Sequence, residues 1–303
     1  MKQWLAFITL ALFWGSSFMW IKIALEDIQP LMLVLLRLAF AMLGMVILVI
    51  ALRIRPSRNL NDWLKMIFVG TVGVAAPFVL ITIAEKSIPS SLAALLNAAV
   101  PLFTLITAAI VLPDERITAG RLLGLGLGFA GVLLLLSKDL NPNDLLNSSV
   151  FGQGLMLLAT FCYAVSTVFN RRYLGHISPL AQTFGVLIAA ETTLLIATPV
   201  LERPLTLPSQ PITWLALAWL GVLGAAFAYV LFFYLLREWG PTRATLVTYV
   251  VPVVGLILGV AILNEPLTWQ LVAGGLLILT GIVVVNWPNL RQLMQPQPAA
   301  ASD

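Results

Sequence analysis

The sequence predicts an all-α membrane protein, with ten transmembrane helices arranged as two inverted five-helix repeats around a central cavity. Three observations predict it. Of the 303 residues, 60% are hydrophobic and only 10% charged, where a soluble domain carries about 25% charge; too few polar residues are present to cover a water-facing surface. The apolar residues come in runs of about 20 separated by short basic clusters, and about 20 helical residues at a rise of 1.5 Å cross a hydrocarbon core of roughly 30 Å. Finally, the chain matches itself when shifted by about 150 residues.

The spans fall at 4–25, 30–51, 63–83, 90–112, 119–137, 151–173, 178–201, 212–236, 243–263 and 269–287. The first has an apolar stretch too long for a signal peptide and no small-residue cleavage site. It carries Trp14 and Ser17 about ten residues in, too deep for an interfacial aromatic belt. The second contains Arg37 about a third of the way along. The third contains Pro77 and Phe78. The fourth places Asn97 and Pro101 on one helical face, and an asparagine is costly in lipid unless it faces protein or water. The fifth contains "GLGLGFAG" (124–131), which spells G-x-G-x-x-G. A dinucleotide fingerprint follows a strand and opens a helix; these glycines lie mid-helix. Gly124 and Gly128, with Gly131 close by, instead have the small-x-x-x-small spacing of a helix-packing seam, within the protomer or between protomers.

The sixth span carries Tyr163 and Ser166, and the seventh Glu191, the only acidic residue deep inside a span. The eighth carries Tyr229. The ninth places Thr245, Thr248, Tyr249 and Pro252 on one side, and the tenth repeats the glycine pattern at Gly274 and Gly281. Connections are short, leaving no room for a soluble domain. The repeats occupy 1–138 and 150–287, and 288–303 reads as a disordered cytoplasmic tail.

Basic residues alternate by side. One side holds Lys2, Arg53, Arg55, Arg58, Lys65, Arg116, Arg121, Arg171, Arg172, Arg237, Arg243 and Arg291; the other holds only Lys22, Lys86, Lys138 and Arg203. The positive-inside rule therefore places both termini in the cytoplasm. It also accounts for the net charge of +4 without any nucleic-acid partner. The single Cys162 excludes an internal disulfide and any cysteine-based metal site, and the single His176 reads as a solvated loop residue.

In the repeat, "NAAVPLFTLITAAIVLPDERIT" from Asn97 aligns with "TYVVPVVGLILGVAILNEPLT" from Thr248. Pro101 meets Pro252, Glu115 meets Glu265, and Gly70 and Gly73 meet Gly221 and Gly224. Trp14 pairs with Tyr163, and Lys22 with Arg171. Five spans per half is an odd number, so the second half enters the membrane from the opposite side. Such inverted repeats are an architecture of secondary transporters.

Ten spans in five-plus-five halves, "LFWGSSF" in the first helix, "RLAFA" in the second and the paired "DERIT" and "NEPLT" turns resemble the drug/metabolite transporter superfamily, EamA type, over about residues 4–287. Amino-acid exporters of the YddG type are the members for comparison. The resemblance implies a basket of helices around a central cavity, alternating access, no ATP hydrolysis and a place in the bacterial inner membrane.

A carrier of small polar solutes needs a polar or aromatic cavity near the midplane, and Trp14, Ser17, Phe78, Asn97, Tyr163, Ser166, Tyr229, Thr248 and Tyr249 are expected around it. Pro101 and Pro252 are expected as hinges, because a helix-interior proline removes a backbone hydrogen bond. Arg37 has Val186 as its repeat mate, so it breaks the symmetry. It reads as a structural charge that snorkels or pairs with Glu191, with carboxylate binding as the alternative. Glu191 is the candidate for proton coupling. Lys22 reads as snorkelling, and Glu115 and Glu265 as N-terminal caps of the helices that follow them. No metal cluster, nucleophile–base set or phosphate loop is present, so neither a metal, a cofactor nor catalysis is expected.

The reading is a secondary transporter that exports amino acids or related small metabolites by alternating access, as a monomer or homodimer. Multidrug or quaternary-amine efflux is the alternative, supported by the aromatic content. An integral-membrane lipid-modifying enzyme is the reading from another class.

Overall fold

The computed structural model describes residues 1–112, 118–139 and 147–287. Among them all regular structure is helical, and ten apolar helices form the body. The first half contains α1 (Lys2–Ala24), α2 (Pro30–Ala51), α3 (Leu60–Ala84), α4 (Ser90–Val111) and α5 (Ala119–Ser137). The second contains α6 (Ser148–Tyr173), α7 (Pro179–Leu201), α8 (Pro211–Trp239), α9 (Val247–Ile262) and α10 (Trp269–Val285). Eight are long and apolar enough to cross a membrane; α9 and α10 are the shorter pair. Ten crossings bring Lys2 and Val285 to one end of the bundle. Exposed Leu5, Ile8 and Leu12 on α1, and Leu43, Ile47 and Ile50 on α2, offer lipid an apolar surface.

Local chemistry sets the ends. Proline opens α2, α7 and α8 at Pro30, Pro179 and Pro211, where its missing N–H costs nothing and its φ suits a helix. Asn147 accepts from Val150 N at 3.0 Å, which starts α6 three residues before the expected position. Gly240, with φ of 77°, ends α8; a residue with a Cβ adopts that conformation reluctantly. The ninth helix starts later than expected because a separate turn, Pro241–Ala244, precedes it.

The helices are not uniform. Both α3 and α8 contain a π-helical segment, Thr71–Ala75 and Trp219–Phe227, and these are repeat mates around Gly73 and Gly224. The α-helix of α1 is interrupted at Ser16, and that of α4 at Ala98 and Ala99, just before Pro101.

The glycine seam lies within the protomer. A Cβ on Gly124 would sit 2.6 Å from the carbonyl oxygen of Gly281, and one on Gly131 would sit 2.7 Å from that of Gly274, so α5 and α10 touch backbone to backbone. Close approach of this kind maximises van der Waals contact where lipid removes the hydrophobic drive for helices to associate.

Carboxylates tie the halves together at the end opposite Lys2, hereafter the clasped end. Glu265 accepts from Ser90 N at 2.6 Å and Ser91 N at 2.8 Å. Glu202 accepts from Leu31 N and Met32 N, both at 2.8 Å. Asp27 accepts from the backbone N–H groups of Ser209 at 2.9 Å and Gln210 at 3.0 Å, and from the Ser209 hydroxyl. Each carboxylate thus meets a helix N-terminus of the opposite half, where unpaired N–H groups and the helix dipole favour negative charge. Glu265 is a cap as expected, but it caps α4 rather than α10; Thr268 caps α10 through Leu271 N. Glu115 and the segment 288–303 lie outside the described residues. At the Lys2 end, His176 is an exposed loop residue as expected, and its Nε2 lies 3.2 Å from Asp62 Oδ1.

Candidate functional site

A cavity of about 670 Å³ lies between the halves. Eight of the nine expected residues line it, namely all but Tyr249, together with Pro101, Pro252 and Arg37. Tyr249 is half-buried elsewhere, with its hydroxyl directed at the Asn286 side chain. Thr248 and Tyr249 share the face the sequence assigned them, but the Tyr249 side chain turns to Asn286 at the end of α10 instead of the cavity. Glu191 does not line the cavity either.

The two π segments form part of the wall through Gly73 and Val74 on one side and Gly224 and Ala225 on the other. A π turn shifts the backbone register and frees a carbonyl, and such turns recur at functional sites. Here Trp14 donates its indole N–H to the Gly224 carbonyl at 3.1 Å. Trp219 donates to Ser16 Oγ at 3.0 Å, and Ser17 Oγ to the Phe13 carbonyl at 3.1 Å. The polar atoms of Trp14 and Ser17 therefore support the wall, and their remaining surface shapes it. Ser166 is buried against Gly73, where an added Cβ would come within 2.5 Å of its own.

Two polar atoms of lining residues are packed away beside the cavity without a partner. Asn97 Oδ1 and Arg37 Nε are buried and make no hydrogen bond among the described residues. The Arg37 guanidinium lies over the Phe78 ring, 3.9 Å from its centroid. Tyr163, Tyr229 and Glu85 are near enough to act on it electrostatically. No ion pair joins Arg37 to Glu191 among the described residues, which corrects that expectation: the guanidinium turns into the cavity instead. Among the described residues, Arg37 is the only charged residue of the lining. Tyr229 stacks on Phe233 and meets Trp14 edge-on, giving one wall an aromatic surface.

The cavity is closed at one end. Toward the clasped end its lining residues Phe18, Ile21, Arg37 and Ile81 are buried, whereas Thr167 and Thr248 toward the Lys2 end are exposed. Lys22 does not snorkel. Its ammonium donates to the carbonyls of Glu85 and, at 3.0 Å, of Ile88, so it closes the C-terminus of α3 beneath the clasps. Glu85 is a residue sequence reasoning missed: it is fully buried with both carboxyl oxygens unpartnered. It lies just past the end of the third span, where a carboxylate ordinarily reaches water.

Two inverted five-helix halves enclosing a cavity are the architecture of a membrane transporter. The sequence profile of the EamA-like transporter family matches residues 1–137 and again residues 150–287. The chain belongs to the EamA-like transporter family, within the drug/metabolite transporter superfamily. An "Uncharacterized transporter" of Archaeoglobus fulgidus is 29% identical over 94% of this chain and 99% of its own length. The "Uncharacterized inner membrane transporter YedA" of Escherichia coli K12 is 29% identical over 87% and 83%. A "Probable amino-acid metabolite efflux pump" of the same strain is 28% identical over 89% and 90%. One solved crystal structure superposes with a TM-score of 0.68 at 20% identity, covering 96% of this chain and 98% of the other; that likeness concerns the fold.

Proposed function

We propose that this transporter exports amino acids or related small metabolites across the bacterial inner membrane by alternating access, with both termini in the cytoplasm. The observation that carries the reading is the cavity itself, in which one buried cation, Arg37, sits at the closed end and aliphatic, aromatic, hydroxyl and amide groups line the rest. Its volume lies within the range of small-molecule sites, roughly 300–1,000 Å³. A single guanidinium in the lining suits one carboxylate, because Arg offers a planar set of donors matched to it. The amino group and side chain of the solute would meet Asn97, Tyr163 and Tyr229. The relative named as an amino-acid metabolite efflux pump supports the same reading.

The basic-residue count supports placing the clasped end outward, and in that orientation the cavity opens inward, ready to load from the cytoplasm. The lone positive charge in the lining opposes the binding of organic cations, and the one acidic residue deep in a span, Glu191, lies outside the cavity.

Reconstitution into proteoliposomes tests the proposal with a panel of radiolabelled L-amino acids and, in parallel, amphiphilic quaternary amines. Flux of at least one amino acid above empty vesicles is expected. Flux of quaternary amines alone would hand the function to multidrug efflux.

A further inference from the structure

Beneath the three clasps, and one turn beyond the cavity floor, lies a carboxyl group that transport as described above does not use. Ile81 lines the floor. Glu85, four residues later and on the same face of the chain, is 0% exposed, and neither of its carboxyl oxygens has a hydrogen-bond partner among the described residues. The charged groups acting on it are Lys22 from α1, Arg37 from α2 and Glu265 from the segment before α10. From α6, Gly152 packs against Ala84 and Ile88, and its neighbour Gln153 is buried and neutral. The adjacent Lys86 is exposed.

We propose that Glu85 is a proton-binding site coupled to the clasp: it holds a proton while the clasped end is shut and releases it when that end opens. Two opposed influences set this behaviour. Burial without a donor favours the neutral acid, because an unsolvated carboxylate lacking hydrogen bonds is costly. Lys22 and Arg37 favour the anion, but Lys22 already spends donors on the Glu85 and Ile88 carbonyls, and Arg37 faces the cavity over Phe78. Glu265 opposes the anion while it holds Ser90 and Ser91. Parting the clasp admits water, which solvates the carboxylate; the neutral acid then gives a proton to water on that side and becomes the anion.

The same step runs backward on closing. A state that binds one more proton is favoured as pH falls, so acid stabilises the clasped form and alkali the opened one. A solute carboxylate on Arg37 would weaken the support that cation gives the Glu85 anion, tying cavity occupancy to protonation. This inference rests on the alternating-access reading, though not on the identity of the solute.

The experiment needs no solute. In a Cys162→Ser background, Ile88→Cys places one thiol at a site that is 1% exposed and outside the cavity lining, where N-ethylmaleimide reaches it only if the clasp parts. Labelling of the purified full-length protein is measured from acid to alkaline pH, with Glu85→Gln read at each pH to cancel the pH dependence of the reagent. The ratio of wild-type to Glu85→Gln labelling should rise with pH, by up to about tenfold per unit for one linked proton. Glu85→Asp should keep the rise, and Glu191→Gln should leave it unchanged. A ratio that stays flat overturns the proposal. Should Glu85→Gln not assemble, wild-type labelling that merely follows the reactivity of a small free thiol over the same range overturns it equally. Absence of amino-acid flux would sink the substrate reading and leave this result standing.

Discussion

Arg37 sits where a short polar contact could decide which solutes are carried, and its neighbours say how. Stacked over Phe78, the guanidinium keeps its planar edge free for a carboxylate, and the stacking contributes about 0.5–2 kcal/mol toward holding it there. Arg37→Met should therefore weaken an amino acid at least about tenfold while weakening its carboxamide far less. Competition by the two compounds in proteoliposome counterflow measures this, and an equal loss for both would remove the anchoring role. Trp14→Phe acts differently. It leaves the Gly224 carbonyl without its donor, at a cost of about 1–3 kcal/mol, so thermal stability should fall with solute preference unchanged. Most of these side chains were legible in the sequence, because the repeat aligned Trp14 with Tyr163 and helical spacing grouped Asn97 with Pro101. Three were not. Tyr249 shares the right face, but its hydroxyl turns to Asn286 at the end of α10, a contact that spacing along one helix does not show. Lys22 and Glu85 lie at span ends, where charged residues ordinarily reach water, and only the packing of α1 on the α3–α4 connection shows that here they do not.

The helices themselves divide into seams that cannot yield and segments that can. At the α5–α10 seam the backbones touch, so a larger side chain has no space to enter. Gly281→Leu, whose Cβ would lie 2.6 Å from Gly124 O and from Gly128 N, should destabilise by at least about 1–3 kcal/mol and lower the yield of folded protein. Gly126→Leu, with no neighbouring atom within 4 Å of the added Cβ, should fold normally. Melting curves of the two in detergent separate them, and equal stabilities would mean that the seam tolerates separation. The π segments behave oppositely: they place glycines of α3 and α8 at the cavity wall and break the hydrogen-bond register there. The seam was readable from small-x-x-x-small spacing in both repeats. The π turns were not, because a π turn and an α turn share the same apolar composition. The pairing of Gly70 and Gly73 with Gly221 and Gly224 marked their positions without their geometry. The interruption of α4 before Pro101 agrees with the expected loss of a backbone bond, whereas α9 runs on through Pro252, so the two halves differ where their sequences agree.

That difference belongs to the whole molecule, because two similar halves can alternate only if one end is held shut while the other is open. Composition, span lengths and the internal repeat made the ten-helix architecture legible from the chain alone. Which end is closed was not legible, since the clasps join residues 170 or more positions apart and no local pattern links them. Asp27 shows that the clasp is electrostatic. The Ser209 hydroxyl, then the Gln210 N–H, holds its carboxyl down at about 2, below the usual 3.8. A depressed carboxyl value adds stability that is fully present above pH 3.8 and is lost as pH falls through about 2, so this contact persists throughout the physiological range. Glu202 and Glu265 make the same kind of bond to α2 and α4. Neutralising either should shift the balance toward the opened end by about 1–3 kcal/mol, or roughly 5- to 150-fold. In Glu265→Gln, amide hydrogen exchange should quicken over residues 86–95, and in Glu202→Gln over residues 28–36. Residues 60–66, at the Lys2 end, should keep their protection or gain it as that end closes. If exchange at 86–95 were unchanged in Glu265→Gln, the carboxylate would be a cap that any polar side chain replaces. If exchange quickened equally at both ends, the substitution would have loosened the fold rather than released a gate. Faster exchange at the clasped end alone would show that the inverted halves trade one closed end for the other.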